Sequence, residues 1–365
     1  MRILFSAAPI AGHILPLWPM IAAAAADGHE AAVLTSGDFS GLLAPFTVLA
    51  AGPSIDEQIA QSVRRTGVRP GGPGPGAAEL FAGTRIDLTI DDACIRADEF
   101  GPDLIVCETL DFVGPTLAAR LRVPWAVHGI TGGLPRGFEQ ALDERWTAQL
   151  ARRGLSRTPR LAYVDPYPDL LHGADTPTAA DRLPIRVVPF DRSDAAYEPP
   201  VFDRPGARVL VTLGTTVKDR DMERELALSL AAAGFNVQVT GPADEEAARD
   251  PRIRHVGFVP LARILPDVEL VVSAGGTGTM LATLGAGLPL VIRPVTADHP
   301  LNAARAERLG AAGIITDPGD AGAAALKVLG DPGFRLAAQD VRAQNAALPS
   351  PVEVLRSLLA AGAPH

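Results

Sequence analysis

A glycine-rich turn in the second half of the chain has the composition of a phosphate-binding loop. Residues 269–273 predict a buried strand, Gly275-Gly276-Thr277-Gly278-Thr279 follows, and a helical pattern continues to residue 286. Glycine lets the backbone approach a ligand closely, and the unpaired N–H groups of a helix start attract a diphosphate. The absence of a Walker lysine and of dinucleotide-binding spacing argues against ATP hydrolysis and NAD chemistry. From these residues alone, a plain strand-to-helix connection is an equal explanation.

A histidine occupies a second loop, directly after the first predicted strand. An imidazole with an ordinary pKa of about 6.5 can take a proton from a hydroxyl at neutral pH, so His13 could act as a general base. From the residues alone, the simpler interpretation is a histidine that satisfies backbone groups at the start of the next helix.

Short apolar runs alternate with helical patterns, which predicts two parallel sheets covered by helices. A proline-dense segment separates the halves and predicts a stiff linker. The predicted domains are residues 1–190 and 207–348, with a linker at 191–206 and a C-terminal helix at 349–365 that packs back on the first domain. Predicted strands are 2–7, 30–35, 46–50, 103–107, 124–128, 208–213, 236–240, 254–256, 269–273, 288–292 and 313–316; predicted helices include 14–26, 77–99 and 113–121.

Composition and charge exclude several classes of protein. The chain has 365 residues, 47% hydrophobic residues and a net charge of −9, which argues against a disordered chain and against nucleic acid or an anionic membrane as partner. Two cysteines, Cys94 and Cys107, provide no disulfide framework, so a reducing cytoplasm is expected. Prolines and His13 interrupt the apolar residues 3–26, so we expect no membrane insertion. The sequence has no cluster at metal-ligand spacing, so no metal site is expected.

The order of several motifs resembles the donor-binding signature of inverting GT-B glycosyltransferases. It is most similar to the actinobacterial enzymes that attach deoxysugars to antibiotics and other natural products. The resemblance spans nearly the whole chain, is weakest across about residues 52–92, and implies two Rossmann-like, doubly wound α/β domains that face each other across a cleft. It rests on Gly12-His13, Gly28-His29-Glu30, Gly257-Phe258-Val259-Pro260, Leu265-Pro266, the glycine-rich turn, Gly287-Leu288-Pro289 and residues 294–302.

The resemblance assigns catalysis to His13 and to an acidic partner. His13 matches the family's catalytic base, which usually needs a carboxylate to fix its tautomer. The family has an aspartate just after the fourth strand, and this chain has Glu108 there. Asp111, three residues on, is the alternative orienting acid, although capping of the next helix explains it as well. Glu108 is the preferred candidate.

The resemblance also assigns three parts of the second half to the donor. The loop after residues 208–213 lies beside the donor phosphates, the glycine-rich turn holds the diphosphate, and the Phe258-Val259 pair packs on a pyrimidine base. Core packing is an equal explanation for that pair. The donor-binding residues implied in these parts are Gly214, Thr215, Thr216, Phe258, Val259, Ser273, Ala274, Gly275, Gly276, Thr277, Gly278 and Thr279.

Two donor positions depart from the family pattern. Ala274 stands where the family generally has a histidine that touches the diphosphate, which removes a hydrogen-bond donor from the leaving group. Asp298-His299 matches an Asp-Gln pair that holds hydroxyls of the donor sugar, so His299 should alter which sugar is preferred.

The resemblance therefore implies an inverting transfer of a deoxysugar to a small hydrophobic natural-product acceptor, and it implies by analogy that the sugar is dTDP-linked. No cofactor is expected, because the nucleotide diphosphate sugar is a co-substrate. The oligomeric state stays open between a monomer and a homodimer. Two alternatives follow from Ala274 and Glu108 and from the fold: a binding or auxiliary protein that lost efficient chemistry, and an NDP-sugar epimerase.

Overall fold

The computed structural model describes residues 1–172, 179–191 and 197–362. These residues form two compact units. The N-terminal unit contains residues 1–166, 179–185 and 349–362, and the C-terminal unit contains residues 167–172, 186–191 and 197–348. Residues 192–196 of the predicted linker and residues 363–365 of the predicted C-terminal segment lie outside the described residues.

A seven-stranded parallel sheet forms the centre of the N-terminal unit, with strand order β3-β2-β1-β4-β5-β6-β7. Its central strands are largely apolar because helices cover both faces of a parallel sheet. Ile3, Leu4 and Phe5 of the first strand, for example, are fully buried. The strands are β1 (Arg2–Ser6), β2 (Glu30–Thr35), β3 (Thr47–Ala50), β4 (Leu104–Glu108), β5 (Trp125–His128), β6 (Tyr163–Asp165) and β7 (Arg182–Pro184).

Eight helices before residue 153 connect and cover these strands. A π-helical turn at Leu80–Thr84 joins α5 to α6, so the predicted helix at 77–99 has an irregular first third. Such turns are rare and occur often at functional sites. The helices are α1 (Ala11–Ile14), α2 (Trp18–Ala26), α3 (Ser40–Leu43), α4 (Ile55–Thr66), α5 (Pro75–Glu79), α6 (Arg85–Phe100), α7 (Val113–Leu121) and α8 (Arg136–Arg152).

The C-terminal unit repeats this architecture with six parallel strands in the order β10-β9-β8-β11-β12-β13. Alternate residues of one strand enter different cores: Val271 packs in one cluster, whereas Leu270 and Val272 pack in the other. The strands are β8 (Arg208–Thr212), β9 (Asn236–Val239), β10 (Ile253–His255), β11 (Leu270–Ser273), β12 (Leu290–Ile292) and β13 (Ala312–Ile314). The helices are α9 (Arg220–Ala232), α10 (Leu261–Ile264), α11 (Thr277–Gly285), α12 (His299–Arg308), α13 (Ala321–Gly330) and α14 (Pro332–Ala347).

The last helix, α15 (Pro351–Ala361), belongs to the N-terminal unit and contacts α2. Ser350 and Glu353 form a capping box at its start. The guanidinium of Arg356 donates two hydrogen bonds to the Asp27 carboxylate at the end of α2, at 2.9 and 2.6 Å. Among the described residues, none of the helices combines the length and apolar character needed to cross a bilayer.

Candidate active site

The predicted catalytic residues lie at the carboxyl ends of the central strands of the N-terminal sheet. Strands β1 and β4 are neighbours there, and the strand order reverses between them. Ligands of open parallel sheets bind beyond the carboxyl ends of the strands at such a reversal. His13 lies in α1, directly after β1, and Glu108 is the last residue of β4.

His13 and Glu108 form a hydrogen-bonded pair. The imidazole Nδ1 lies 2.8 Å from Glu108 Oε1. The Glu108 side chain is fully buried, whereas 15% of the His13 side chain is exposed. Two backbone amides also donate to this carboxylate, Ala8 N to Oε1 at 3.3 Å and Leu110 N to Oε2 at 2.6 Å. These donors fix the carboxylate, and the carboxylate in turn fixes the ring.

Asp111 has a different partner. Its Oδ1 accepts hydrogen bonds from Nε and Nη2 of Arg85, at 3.1 and 2.8 Å, and its Oδ2 accepts one from Gly114 N at 3.0 Å. Arg85 is fully buried and also donates to the carbonyl of Ala7 at 2.7 Å. The second candidate acid therefore belongs to a buried ion pair that joins α6 to the segment after β1 and to the start of α7, while Glu108 contacts the histidine.

An aromatic side chain packs against the His13 ring. The ring of Phe81 stacks on the imidazole with centroids 5.5 Å apart and an interplanar angle of 23°. Phe81 lies in the π-helical turn, whose extra residue alters the direction of its side chains relative to a regular helix. His13 is thus held between a carboxylate and an apolar ring.

His128 ends β5, next to Glu108 in the sheet. Only 3% of it is exposed, and its Nδ1 is buried without a hydrogen-bond partner in the described part of the chain. Burial lowers its pKa to about 4, so the ring is neutral at pH 7. A buried neutral histidine behaves as a core residue of the sheet.

The predicted donor residues surround the corresponding reversal in the C-terminal sheet, between β8 and β11. Gly214, Thr215 and Thr216 follow β8 and are exposed. The turn after β11 contains Gly275, which has a φ of +88°, and Gly276 precedes the first residue of α11. A Cβ on Gly275 would lie 2.8 Å from Cγ2 of Ile292, so only glycine fits there.

The hydroxyl of Thr277 is engaged within the protein. It donates to Asp298 Oδ2 at 2.5 Å and accepts from Asn302 Nδ2 at 3.0 Å. The Tyr167 hydroxyl lies 2.8 Å from it and donates to Asn302 Oδ1 at 2.9 Å. Asn302 Nδ2 also lies 3.0 Å from the carbonyl oxygen of Gly275. This network holds the turn and Asp298 together, so Thr277 shapes the loop and its single proton is not free for a diphosphate.

The remaining donor candidates differ in exposure. Phe258 is 63% exposed, whereas Val259 is 8% exposed and packs in the core. Ser273 and Ala274 are each 1% exposed, and Ser273 Oγ accepts a hydrogen bond from Gly275 N at 3.2 Å. Gly278 is exposed and Thr279 is half-buried. An exposed aromatic ring is a surface on which a base can stack.

Asp298 and His299 occupy the start of α12. Ala297, just before them, has a left-handed φ of +54°, a conformation that costs free energy in a residue with a Cβ and is often found at functional sites. Asp298 uses Oδ2 for Thr277 and for Asn302 Nδ2, the latter at 2.8 Å. His299 is buried, with 6% exposed, and burial lowers its pKa.

Sequence reasoning missed four residues that organise these sites: Phe81, Arg85, Tyr167 and Asn302. Asn302 is the final residue of the motif at residues 294–302, so its position in that motif could have marked it. Tyr167 lies more than 100 residues from Thr277 in the chain, and no local pattern marks such a contact. Within the described residues, no group of three or more His, Cys, Asp and Glu side chains could hold a metal ion.

Comparisons with known proteins identify the class. The solved structure of glycosyltransferase SsfS6 from Streptomyces sp. SF2575, complexed with thymidine diphosphate, is similar with a TM-score of 0.85 and 27% identity over 99% of both chains. The fold is therefore that of the GT-B glycosyltransferases. The family described as "Erythromycin biosynthesis protein CIII-like, C-terminal domain" matches residues 238–361.

Two full-length relatives give the family. Elloramycin glycosyltransferase ElmGT from Streptomyces olivaceus is 29% identical, covering 98% of this chain and 97% of that protein. L-demethylnoviosyl transferase from Streptomyces niveus is 30% identical, covering 99% of this chain and 98% of that protein. The chain belongs to the antibiotic glycosyltransferases of the GT-B fold.

Proposed function

We propose that the protein transfers a deoxysugar, with inversion, from a dTDP-sugar to a hydroxyl of a small hydrophobic natural product, and that His13 is the general base. The observation that carries the proposal is the 2.8 Å contact between His13 Nδ1 and the buried Glu108 Oε1. A carboxylate only accepts hydrogen bonds, so it requires the proton on Nδ1. Nε2 then has the free lone pair that a base needs.

The proton and electron movements follow from this tautomer. Nε2 of His13 takes the proton of the acceptor hydroxyl while its oxygen attacks the anomeric carbon. The bond from that carbon to the diphosphate oxygen breaks on the opposite face, and the configuration inverts. The nucleoside diphosphate leaves with the electron pair, and Glu108 stabilises the imidazolium that forms.

The donor assignment rests on the C-terminal unit. The turn Gly275-Gly276 and the N-terminus of α11 suit a diphosphate, the exposed Phe258 ring suits a pyrimidine, and SsfS6 was solved with thymidine diphosphate. Asp298 Oδ1 forms no hydrogen bond among the described residues and can accept one from a sugar hydroxyl. The apolar ring of Phe81 beside His13 suits a hydrophobic acceptor.

No cofactor is needed, since a single displacement on a nucleotide sugar contains no redox step. We place the reaction in the cytoplasm, where the two free cysteines, Cys94 and Cys107, stay reduced. Whether the enzyme is a homodimer is a separate prediction that sedimentation would test.

The test is transfer from a panel of dTDP-sugars to hydrophobic hydroxylated acceptors. We expect dTDP release that depends on the acceptor, and a product whose anomeric configuration, read from NMR couplings, is opposite to that of the donor. Binding without release would support an auxiliary protein, isomerised sugar without acceptor would support an epimerase, and retained configuration would refute the single displacement.

His13→Ala tests the base. General base catalysis contributes about 10²- to 10⁴-fold, so we expect turnover to fall by that factor. The affinity for dTDP, measured by calorimetry, should stay within about twofold because the nucleotide contacts other residues. A variant that keeps wild-type turnover would defeat the assignment.

A further inference from the structure

The His299 side chain lies along the glycine-rich turn. A Cβ added to Gly276 would lie 3.7 Å from His299 Nε2, and one added to Gly275 would lie 3.6 Å from the Cβ of His299. Gly276 immediately precedes the nine-residue helix α11. The imidazole therefore borders the space above the first turn of that helix, where backbone N–H groups are unpaired.

The hydrogen bonds of the ring define its tautomer. Thr296 N donates to His299 Nδ1 at 3.4 Å, so Nδ1 carries a lone pair. Burial lowers the pKa of His299, which keeps the ring neutral at pH 7 and puts its single proton on Nε2. In the part of the chain that the structure describes, Nε2 has no hydrogen-bond partner, although 94% of the residue is buried. Nε2 is not among the polar atoms that are sealed from solvent without a partner, so its N–H is open beside Gly276 and can reach a ligand acceptor at the helix start.

We propose that Nε2–H of His299 donates a hydrogen bond to the diphosphate of the nucleotide sugar at the N-terminus of α11. This inference rests on the proposed donor. It gives His299 a different role from the one that the family resemblance implies, in which residue 299 holds hydroxyls of the sugar. Asp298 keeps that second role.

The proposal accounts for the alanine before the glycine turn. Ala274 is buried and has no polar side chain, so this position cannot supply a donor. His299 approaches the same turn from α12 and supplies an imidazole N–H there. An N–H donor suits this place because the leaving diphosphate gains negative charge during transfer and the N–H group stabilises that charge.

Two substitutions separate the ring nitrogens. The amide oxygen of Asn can replace Nδ1 as acceptor for Thr296 N, but Asn does not extend to the position of Nε2. The longer Gln can place an amide N–H near that position. His299→Asn thus removes the proposed contact, and His299→Gln is the matched variant that retains a donor.

The experiment compares dTDP with thymidine for the wild-type protein and both variants, by calorimetry for dTDP and ligand-observed NMR for thymidine. We expect His299→Asn to weaken dTDP binding about tenfold or more, the size of a hydrogen bond to a charged group. Thymidine binding should be unchanged, and His299→Gln should recover most of the dTDP affinity.

Each other outcome overturns the inference. If His299→Asn binds dTDP like the wild type, the residue does not contact the diphosphate. Equal losses of affinity for dTDP and for thymidine would show that His299 maintains the shape of the loop instead. If the wild-type protein fails to bind dTDP, the proposed donor is wrong instead, which distinguishes the two failures.

Discussion

At the scale of single residues, the neighbouring acids Glu108 and Asp111 have different hydrogen-bond partners. Glu108 lies at the end of β4 and satisfies three donors at once, the His13 imidazole and two backbone amides. Asp111, one methylene shorter and three residues on, neutralises Arg85. Two neighbouring carboxylates thereby have separate roles, one in orienting the His13 ring and one in holding helices together.

Glu108→Gln should reverse the His13 tautomer. If the amide oxygen accepts from Leu110 N, the amide nitrogen donates toward His13 Nδ1, and the ring proton moves to Nε2, where it blocks base catalysis. We expect kcat to fall about 10²- to 10⁴-fold with little change in dTDP affinity, which steady-state kinetics and calorimetry measure. Asp111→Asn is the control; a larger kcat loss there than in Glu108→Gln would contradict the assignment.

His128 predicts a dependence of stability on pH. Its pKa is about 4 in the folded protein and about 6.5 when unfolded, so only the unfolded state binds a proton between these values. Stability is therefore lost as pH falls from about 6.5 toward 4. When the pH is lowered from 7 to 5, the free energy of unfolding of the wild type should fall by about 2 kcal/mol more than that of His128→Leu. Urea denaturation at the two pH values measures this difference. Parallel curves would contradict a buried neutral ring.

At the scale of elements, the candidate residues of each unit lie in loops between a strand and a helix, and the backbone of each loop orients their side chains. Gly275 adopts a left-handed φ that its surroundings restrict to glycine. Ala297 adopts a similar φ of +54° without being glycine, directly before Asp298 and His299. The second loop is therefore strained directly before the two proposed donor-binding residues.

Ala297→Gly should relieve that strain. A left-handed residue with a Cβ costs about 1–2 kcal/mol, and the added freedom of glycine in the unfolded chain offsets about half of this. We expect stabilisation of about 0.5–1 kcal/mol in urea denaturation. Ala323→Gly, at an exposed position of α13, should instead destabilise by about 1 kcal/mol. The same sign for both variants would rule out strain at Ala297.

At the scale of the whole molecule, the end of the chain completes the N-terminal unit. Helix α15 buries Val354, Leu355 and Leu358, and its Arg356 binds Asp27 at the end of α2. This contact between residues more than 300 positions apart makes the first unit depend on a segment that follows the C-terminal unit in the sequence. Its core is incomplete until the chain has passed through the C-terminal unit.

Leu355→Ala should show this dependence. Leu355 is fully buried, and such truncations cost about 2–5 kcal/mol. We expect the free energy of unfolding of the N-terminal unit to fall by that amount, as measured by hydrogen exchange of the amides in β1 and β4. Ile95→Ala removes a similar side chain from a 57% exposed position of α6 and should cost less than about 0.5 kcal/mol. Unchanged exchange in Leu355→Ala would show that α15 contributes nothing to this unit.

Local patterns were sufficient to predict the parallel sheets and the loops that carry the site. Buried strands are continuous apolar runs, so residues 2–7 and 269–273 predicted β1 and β11 almost to the residue. The strands β6 and β7 and the helices α4 and α8 went unpredicted because they are short, polar or irregular in pattern. The glycine turn and His13 were recognisable because both follow a strand directly.

Contacts between distant residues required the tertiary structure. The sequence left Glu108 and Asp111 as alternatives, and the choice depends on Arg85, which α6 brings to Asp111. Of the adjacent residues Phe258 and Val259, Val259 packs in the hydrophobic core and Phe258 is exposed. Tyr167 and His299 reach the glycine turn from other segments of the chain. Residue types and spacing describe neighbours along the chain, whereas hydrogen bonds and packing in a site depend on neighbours in space.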